Sequence, residues 1–375
     1  MTKLLFTPTT FVGLQLRNRI VYPPITTGLA ESDGKVSDRM VEFYRQRASG
    51  GVGLIILEPG VVHPQAKLAR YSAGAWADDQ IPGMARLAKA IKSEGARVLL
   101  QLCHAGPKAN LRINGVPPSS ASENPFFLKL PTVALSQTEI HVVVNNFILA
   151  AARAREAGFD GVELHAAHFY LLSAFLSPLL NDRTDAYGGD NQGRARIIRE
   201  IVIGIKKKVG KDFPVTVRFH GYEDGEQGLK PSDAIEIAHI FAEAGADGLH
   251  VSAYGLPIPE LVGIASVPSS PIPAKEHPQA PFVDYAANVK RAINLPVIAV
   301  GKITDPELAE LSLQEGKCDL VAVGRAILAD PQWPNKIATG KKIIRCIGCL
   351  DCINSLAKGE IVCRINRDLI QGSLG

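Results

Sequence analysis

Residues Glu156–His165 read EAGFDGVELH, and related phrases recur at Ser49–Glu58 (SGGVGLIILE), Glu243–Ser252 (EAGADGLHVS) and Glu315–Gly324 (EGKCDLVAVG). Each is a helix end, a turn containing glycine and a mostly apolar strand. Such strands lack polar alternation, as parallel strands do when both faces are buried. Four more strands fall in the gaps: Arg19–Pro24 (RIVYPP), Arg97–Leu102, Pro214–Phe219 and Pro296–Gly301. Helical patterns lie between them. Ile197, Ile198, Ile201, Val202 and Ile205 mark one apolar face. Ser136 with Glu139, and Thr304 with Glu307, have capping-box spacing. Eight strands alternating with helices over about 330 residues predict an α/β fold, a (β/α)8 TIM barrel. A doubly wound sheet would carry a GxGxxG turn after its first strand. None follows Arg19–Pro24.

Two pieces lie outside the repeat. Leu4–Leu16, apolar but broken by Pro8 and Gly13, reads as an N-terminal hairpin cap. The expected division is a barrel over 1–340 and a short Cys-rich C-terminal extension over 341–375. Two connections are too long for simple βα loops. One runs from Cys103 to Leu135; the other, Ala253–Val283, holds Pro257, Pro259, Pro268, Pro271, Pro273, Pro278 and Pro281. Both follow strands, which puts them on the catalytic face as an expected rim or lid.

Composition narrows the class. The 375 residues are 46% hydrophobic and 21% charged, with a formal charge of +4. That suits a globular enzyme with a large core. Lys and Arg are dispersed, with no basic stripe carrying interleaved aromatics, so nucleic acid is not expected. No apolar run has the length of a membrane span. MTKLLFTPTTFVG lacks a signal-peptide core and cleavage site, so a cytoplasmic protein is expected. Of the six cysteines, Cys103 and Cys318 stand alone and four fall between Cys346 and Cys363. In a reducing compartment such a cluster means metal before disulfide.

Candidate site residues are those at the C-terminal ends of strands: Thr26, Gln101, His104, His165, Arg218, Gly301 and Gly324. The strand ending at His165 turns into the apolar segment HAAHFYLLSAFLSPLL, and the turn carries His165, His168 and Tyr170. All three can donate hydrogen bonds. His165 and His168 could instead ligate zinc, but no HExxH occurs and the next carboxylate is Asp182. Hydrogen-bond donation is therefore preferred. The last two strands end Gly301-Lys302 and Gly324-Arg325. Glycines there let backbone N–H groups approach an anion, and Arg325 adds a charged fork at a helix start. Barrels commonly bind phosphate at this position.

The cysteines Cys346, Cys349, Cys352 and Cys363 are spaced C-x2-C-x2-C-x10-C. The triplet matches the ferredoxin run, in which thiolates hold an iron–sulfur cubane. A four-thiolate zinc site usually has two separated pairs. A 4Fe–4S cluster is the expectation.

HAAHFYLLSAFLSPLLNDRTDAYGGD, with LFTPTTFVGLQLRNRIVYPPITTG, RASGGVGLIILEPGVV, QLCHAG and DLVAVGRAILADP, resembles the old yellow enzyme family of FMN-dependent barrel oxidoreductases. The resemblance implies Pro24, Thr26 and Pro59 near a flavin ring, Gln101 on its pyrimidine edge and Arg218 near N1 and O2. It implies the FMN phosphate on Gly301, Lys302, Gly324 and Arg325. NAD(P)H would be the reductant and an unsaturated carbonyl compound the substrate, held by His165 and His168 and protonated by Tyr170. The tail is similar to the iron–sulfur branch that includes 2,4-dienoyl-CoA reductase, 2-enoate reductase and trimethylamine dehydrogenase. That branch implies electrons from NAD(P)H or from a separate donor protein. An amine dehydrogenase on the same scaffold and an electron-transfer subunit are the competing functions; a homo-oligomer is left open.

Overall fold

Eight apolar segments pair in parallel and close on themselves. They are β1 (Ile20–Tyr22), β2 (Leu54–Val61), β3 (Arg97–Cys103) and β4 (Gly161–Ala166). Then come β5 (Val215–Glu223), β6 (Gly248–Tyr254), β7 (Val297–Ala299) and β8 (Leu320–Ala322). Closure is the pairing of β8 with β1, which sets Val321 beside Ile20. All eight strands overlap the segments expected from the sequence, and β2, β5 and β6 run two to four residues beyond them. This is a (β/α)8 barrel, seen in a computed structural model that describes residues 3–123, 132–254, 272, 273, 275 and 277–369. None of its helices is long and apolar enough to cross a membrane, among the described residues.

The helices form where the caps direct them. Ser136 accepts from the Glu139 N–H and Glu139 answers at the Ser136 N–H, which starts the helix Gln137–Glu156. The second expected box is different. Asp305, not Thr304, caps Pro306–Gln314 by accepting from the Glu307 N–H, and Pro306 occupies the first helical position. The carboxylate directly before proline takes the cap position in place of the threonine, whose hydroxyl instead donates to Gln279. Ile197, Ile198, Ile201, Val202 and Ile205 are all buried along Asn191–Lys208.

Two cores follow from strand alternation. Outward residues such as Val162 and Leu164 pack under the helices. Inward residues Val21, Leu54, Ile56, Leu99, Ile298, Leu320 and Ala322 fill one end of the barrel. That end is plugged by the hairpin Thr9–Phe11/Leu14–Leu16, which inserts Phe11 and Leu16. The plug is tied down where both Glu310 oxygens accept the Leu4 and Leu5 N–H groups at 2.7 and 2.8 Å.

The opposite end holds the long connections. The first contributes a short turn, Gly106–Lys108, and a helix, Leu111–Asn114. Most of the second, 255–271, lies outside the described residues, as does 124–131. After the barrel the chain folds back as Asp351–Asn354 and Ser355–Lys358. It binds the first loop by the Ile361 N–H donating to the Thr27 carbonyl at 2.8 Å. The approach is close: Gly28 has φ +70°, and a Cβ there would sit 2.1 Å from the Gly359 oxygen.

Candidate active site

Parallel register assembles the site. It sets Gln101 beside Glu163, His165 beside Arg218, Arg218 beside His250, and His220 beside Ser252. Above the apolar plug the barrel interior therefore turns polar. Gln101 Nε2 donates to Glu163 Oε1 at 2.8 Å, and His250 Nδ1 lies 2.8 Å from Glu163 Oε2. All three side chains are 0% exposed. Burial lowers the His250 pKa, so its imidazole is neutral and Nδ1–H is the donor.

A second carboxylate organises the turn after β4. His220 Nε2 accepts the His168 N–H at 2.6 Å, so its proton is on Nδ1, which faces Glu223 Oε1 at 2.8 Å. Ser177 donates to the other Glu223 oxygen at 2.6 Å. This pair holds His168 and Phe169 at φ 62° and 56°, a left-handed conformation that is rare for such side chains. Phe169 is thereby turned onto Tyr254, ring centroids 4.1 Å apart, and packs behind the cavity rather than into it. His168 Nε2 lies 3.0 Å from Ser252 Oγ. Its ring meets that of His165 edge-on at 5.0 Å, and the His165 ring lies 4.7 Å from that of Tyr170.

These groups line one cavity of about 500 Å³ at the open end of the barrel. Pro24, Thr26, Pro59, Gln101, His165, His168, Tyr170, Arg218, Gly301, Lys302, Gly324 and Arg325 all contribute to it. Every non-cysteine site residue expected from the sequence except His104 is thus brought together. The Lys302 ammonium donates to the carbonyls of Lys275 (2.8 Å) and His277, so at this position the cavity meets a side chain already engaged. His104, also expected at the site, is not on the cavity wall; its Nδ1 accepts the Gly106 N–H at 3.1 Å. Gly301 is required by its φ of +120° and by Phe282, whose Cδ2 would lie 2.5 Å from an added Cβ.

Burial sets the charge states. It pushes the pKa values of His165 and His168 well below the ordinary value, and the nearby Arg218 adds to the effect. Both imidazoles are neutral at pH 7 and can donate without carrying charge. Burial pushes the Tyr170 phenol up, so it holds its proton. Three buried polar atoms around the cavity have no partner among the described residues: Gln101 Oε1, Arg218 Nε and His165 Nδ1. Such groups are costly unless a ligand satisfies them. An acceptor, a fixed cation and a donor edge on a half-apolar cavity fit the pyrimidine edge and flat rings of FMN.

Two features escaped sequence reasoning. Lys108 lines the cavity from the short turn after β3, its Nζ 5.6 Å from the Tyr170 ring centre and 5.3 Å from that of Tyr254. No strand-end rule points to a residue inside a loop. The cysteine extension also reaches the cavity, through Cys352, Ile353 and Leu356. The four expected ligands are free, half-buried thiols. Burial pushes the Cys352 thiol up to about 11; Arg325 opposes this, and Cys346, Cys363 and Cys349 add to it as near neighbours. No three His, Cys, Asp or Glu side chains form a ready metal site among the described residues.

A closed parallel barrel with such an opening offers a place for a flat, anionic cofactor. The chain belongs to the NADH:flavin oxidoreductase / NADH oxidase family, whose model matches residues 4–343. This is the family of FMN-dependent barrel oxidoreductases that the sequence resemblance led us to expect. An NADH oxidase of Thermoanaerobacter brockii is 41% identical over 347 residues, covering 91% of this chain and 52% of that protein. An NADPH dehydrogenase of Bacillus subtilis is 37% identical over 333 residues, covering 88% and 93%. A 2-naphthoyl-CoA reductase, solved with 2-naphthoyl-CoA, superposes with a TM-score of 0.91 at 27% identity, over 99% of this chain and 58% of that one. The chain spans about half the length of the first of these relatives and nearly all of the second.

Proposed function

We propose that the protein reduces activated C=C bonds conjugated to a carbonyl, with electrons from NAD(P)H or a partner protein. The observation that carries this reading is the junction of His165, His168 and Tyr170 on one wall of the cavity that holds Gln101 and Arg218. Gln101, Arg218, Pro24, Thr26, Pro59 and the Gly301, Lys302, Gly324 and Arg325 region would hold FMN, which would supply the hydride chemistry when bound. The chain supplies the rest. His165 and His168, neutral and rigidly held, donate to the substrate carbonyl oxygen, where negative charge builds as the alkene is reduced. Tyr170, protonated at neutral pH, gives its proton to the α-carbon. Arg218, buried beside His165, favours negative charge on the pyrimidine edge of the cofactor.

Replacing Tyr170 by phenylalanine tests this. Loss of the proton donor is expected to lower kcat for 2-cyclohexenone about 100-fold, with FMN content kept. Full turnover in the variant would refute the assignment and favour a carrier without its own substrate.

We assign residues 1–340 to the FMN barrel and 341–375 to a Cys-rich extension. The four thiols there, with Cys352 the electrostatic neighbour of the other three, supply the donor set of a 4Fe–4S cluster. Protein purified without oxygen is expected to contain about four iron and four sulfide per chain. Zinc instead, or no metal, would overturn this assignment and leave the barrel chemistry standing.

A further inference from the structure

Arg47, on the buried face of the helix Asp38–Ser49, is 0% exposed. Its Nη1 donates to the Phe43 carbonyl at 2.6 Å, and its Cζ lies 3.4 Å from the centre of the Phe43 ring. Its Nε and Nη2 have no hydrogen-bond partner among the described residues. The hydroxyl of the neighbouring Tyr22 also lacks a hydrogen bond of ordinary geometry. A cation buried without a counter-ion is strongly destabilising, so the donors call for an anion. The cysteine extension lies where one is needed. Arg39, Phe43 and Arg47 stand at i, i+4 and i+8, in one row along the helix. Arg39 pairs with Glu360 at 2.9 Å, so the extension meets that row. From Glu360 the chain runs to Ile361, buried and bonded to the Thr27 carbonyl, and then to Cys363. Cys352 and Cys363 pack against the same core as Tyr22, Phe43 and Tyr44. A long helical side chain leans toward the helix N-terminus, and its bond to Phe43 turns Arg47 that way, toward Arg39 and the extension.

We propose that Arg47, helped by the Tyr22 hydroxyl, is the buried counter-charge of an anionic metal–thiolate group held by Cys346, Cys349, Cys352 and Cys363. The inference rests on the metal-site reading above but not on which metal is held. Four thiolates carry four negative charges, and either a zinc ion or an oxidised 4Fe–4S core offsets two of them. The remainder falls to the protein, and the orphaned guanidinium and phenol are donors of the right sign. The electrostatic neighbours agree: Cys363 is one of Arg47, and Cys352 one of Tyr22. Adding an electron to an iron–sulfur group raises its negative charge, so a fixed cation on that side favours the reduced form. Arg47 does not line the cavity, so it acts on the metal group and not on substrate.

The test compares wild type with Arg47→Met, Arg47→Lys and Tyr22→Phe, each purified without oxygen. Metal and sulfide per chain are measured, then the rate of metal loss to excess EDTA. For an iron-containing protein the midpoint potential is read from a titration followed by electron paramagnetic resonance. Arg47→Met is expected to speed metal loss about tenfold and to lower the potential by about 59 mV, a tenfold shift in a one-electron equilibrium. Arg47→Lys should recover most of both. Tyr22→Phe, which removes only the hydroxyl, should shift both in the same direction by less, and it keeps the test open should Arg47→Met not fold. With all four cysteines changed to serine, Arg47→Met should raise the urea midpoint, because a bare buried charge is then removed. A fall there would mark Arg47 as purely structural and overturn the proposal. So would metal loss unchanged in Arg47→Met and Tyr22→Phe. Zinc in wild type, lost faster from Arg47→Met, sustains the counter-charge and overturns the iron–sulfur assignment alone. Wild type without metal overturns both.

Discussion

Glu163→Gln removes one oxygen and one charge from the centre of the barrel, and its effect can be worked out from the hydrogen bonds. In the wild type, Gln101 Nε2 and His250 Nδ1 each find a Glu163 oxygen at 2.8 Å. That bond fixes the Gln101 amide so that its oxygen, which has no partner among the described residues, is the atom left for the cofactor. The flavin pyrimidine edge offers one donor, N3–H, so an acceptor is what the edge requires. In the variant only one partner can keep its acceptor. Either His250 moves its proton to Nε2, already without a partner, or the Gln101 amide flips and opposes N3–H with its own N–H. Loss of one bond to a charged group costs about 1.5–3 kcal/mol. If the amide flips, this appears as a roughly 10- to 150-fold rise in the FMN Kd. Arg218 also loses its anionic neighbour, so the reduction potential of bound FMN should rise. The assay is quenching of FMN fluorescence on titration of apoprotein, repeated with 3-methyl-FMN, which lacks the N3 proton. Wild type should prefer FMN over the methylated form, and the variant should lose most of that preference. An unchanged FMN Kd, potential and preference would refute the idea that Glu163 orients Gln101.

Glu58 offers a pH signature. Burial raises its pKa from 4.5 to about 7, against the bonds it accepts from Thr27 and Tyr44. The folded state then binds more protons than the unfolded state between these values, so stability falls as pH rises from 4.5 to 7, by at most about 3 kcal/mol. Urea unfolding of Glu58→Gln across this range should lack that slope; a parallel profile would contradict the assignment. Phe11→Ala empties the plug, since Phe11 is 1% exposed among Leu16, Leu54, Ile56 and Leu99. It should destabilise the fold by about 3–5 kcal/mol in the same assay, and a loss under about 1 kcal/mol would show that the hairpin carries little of the barrel's stability.

The linear chain determined the barrel. Four copies of one helix–glycine–strand phrase, with apolar segments in the gaps, demand strands buried on both faces, and eight of these without a GxGxxG turn after the first fit a closed barrel rather than a doubly wound sheet. It also pointed to which strand-end residues meet, because parallel register and inward alternation bring His165, Arg218 and Gln101 into one cavity. What it could not determine depends on contacts between distant segments. Glu163 looks in sequence like any polar residue in an alternating strand; only closure of the barrel sets it between Gln101 and His250. Lys108 belongs to a loop whose path is fixed by packing of Gly106 against Leu171, far along the chain. The direction of Lys302, the turning of Phe169 away from the cavity and the return of the cysteine tail to its edge were likewise decided by the tertiary structure. In each case a single side chain chooses among partners that only folding brings within a few ångströms, and no local pattern encodes that choice.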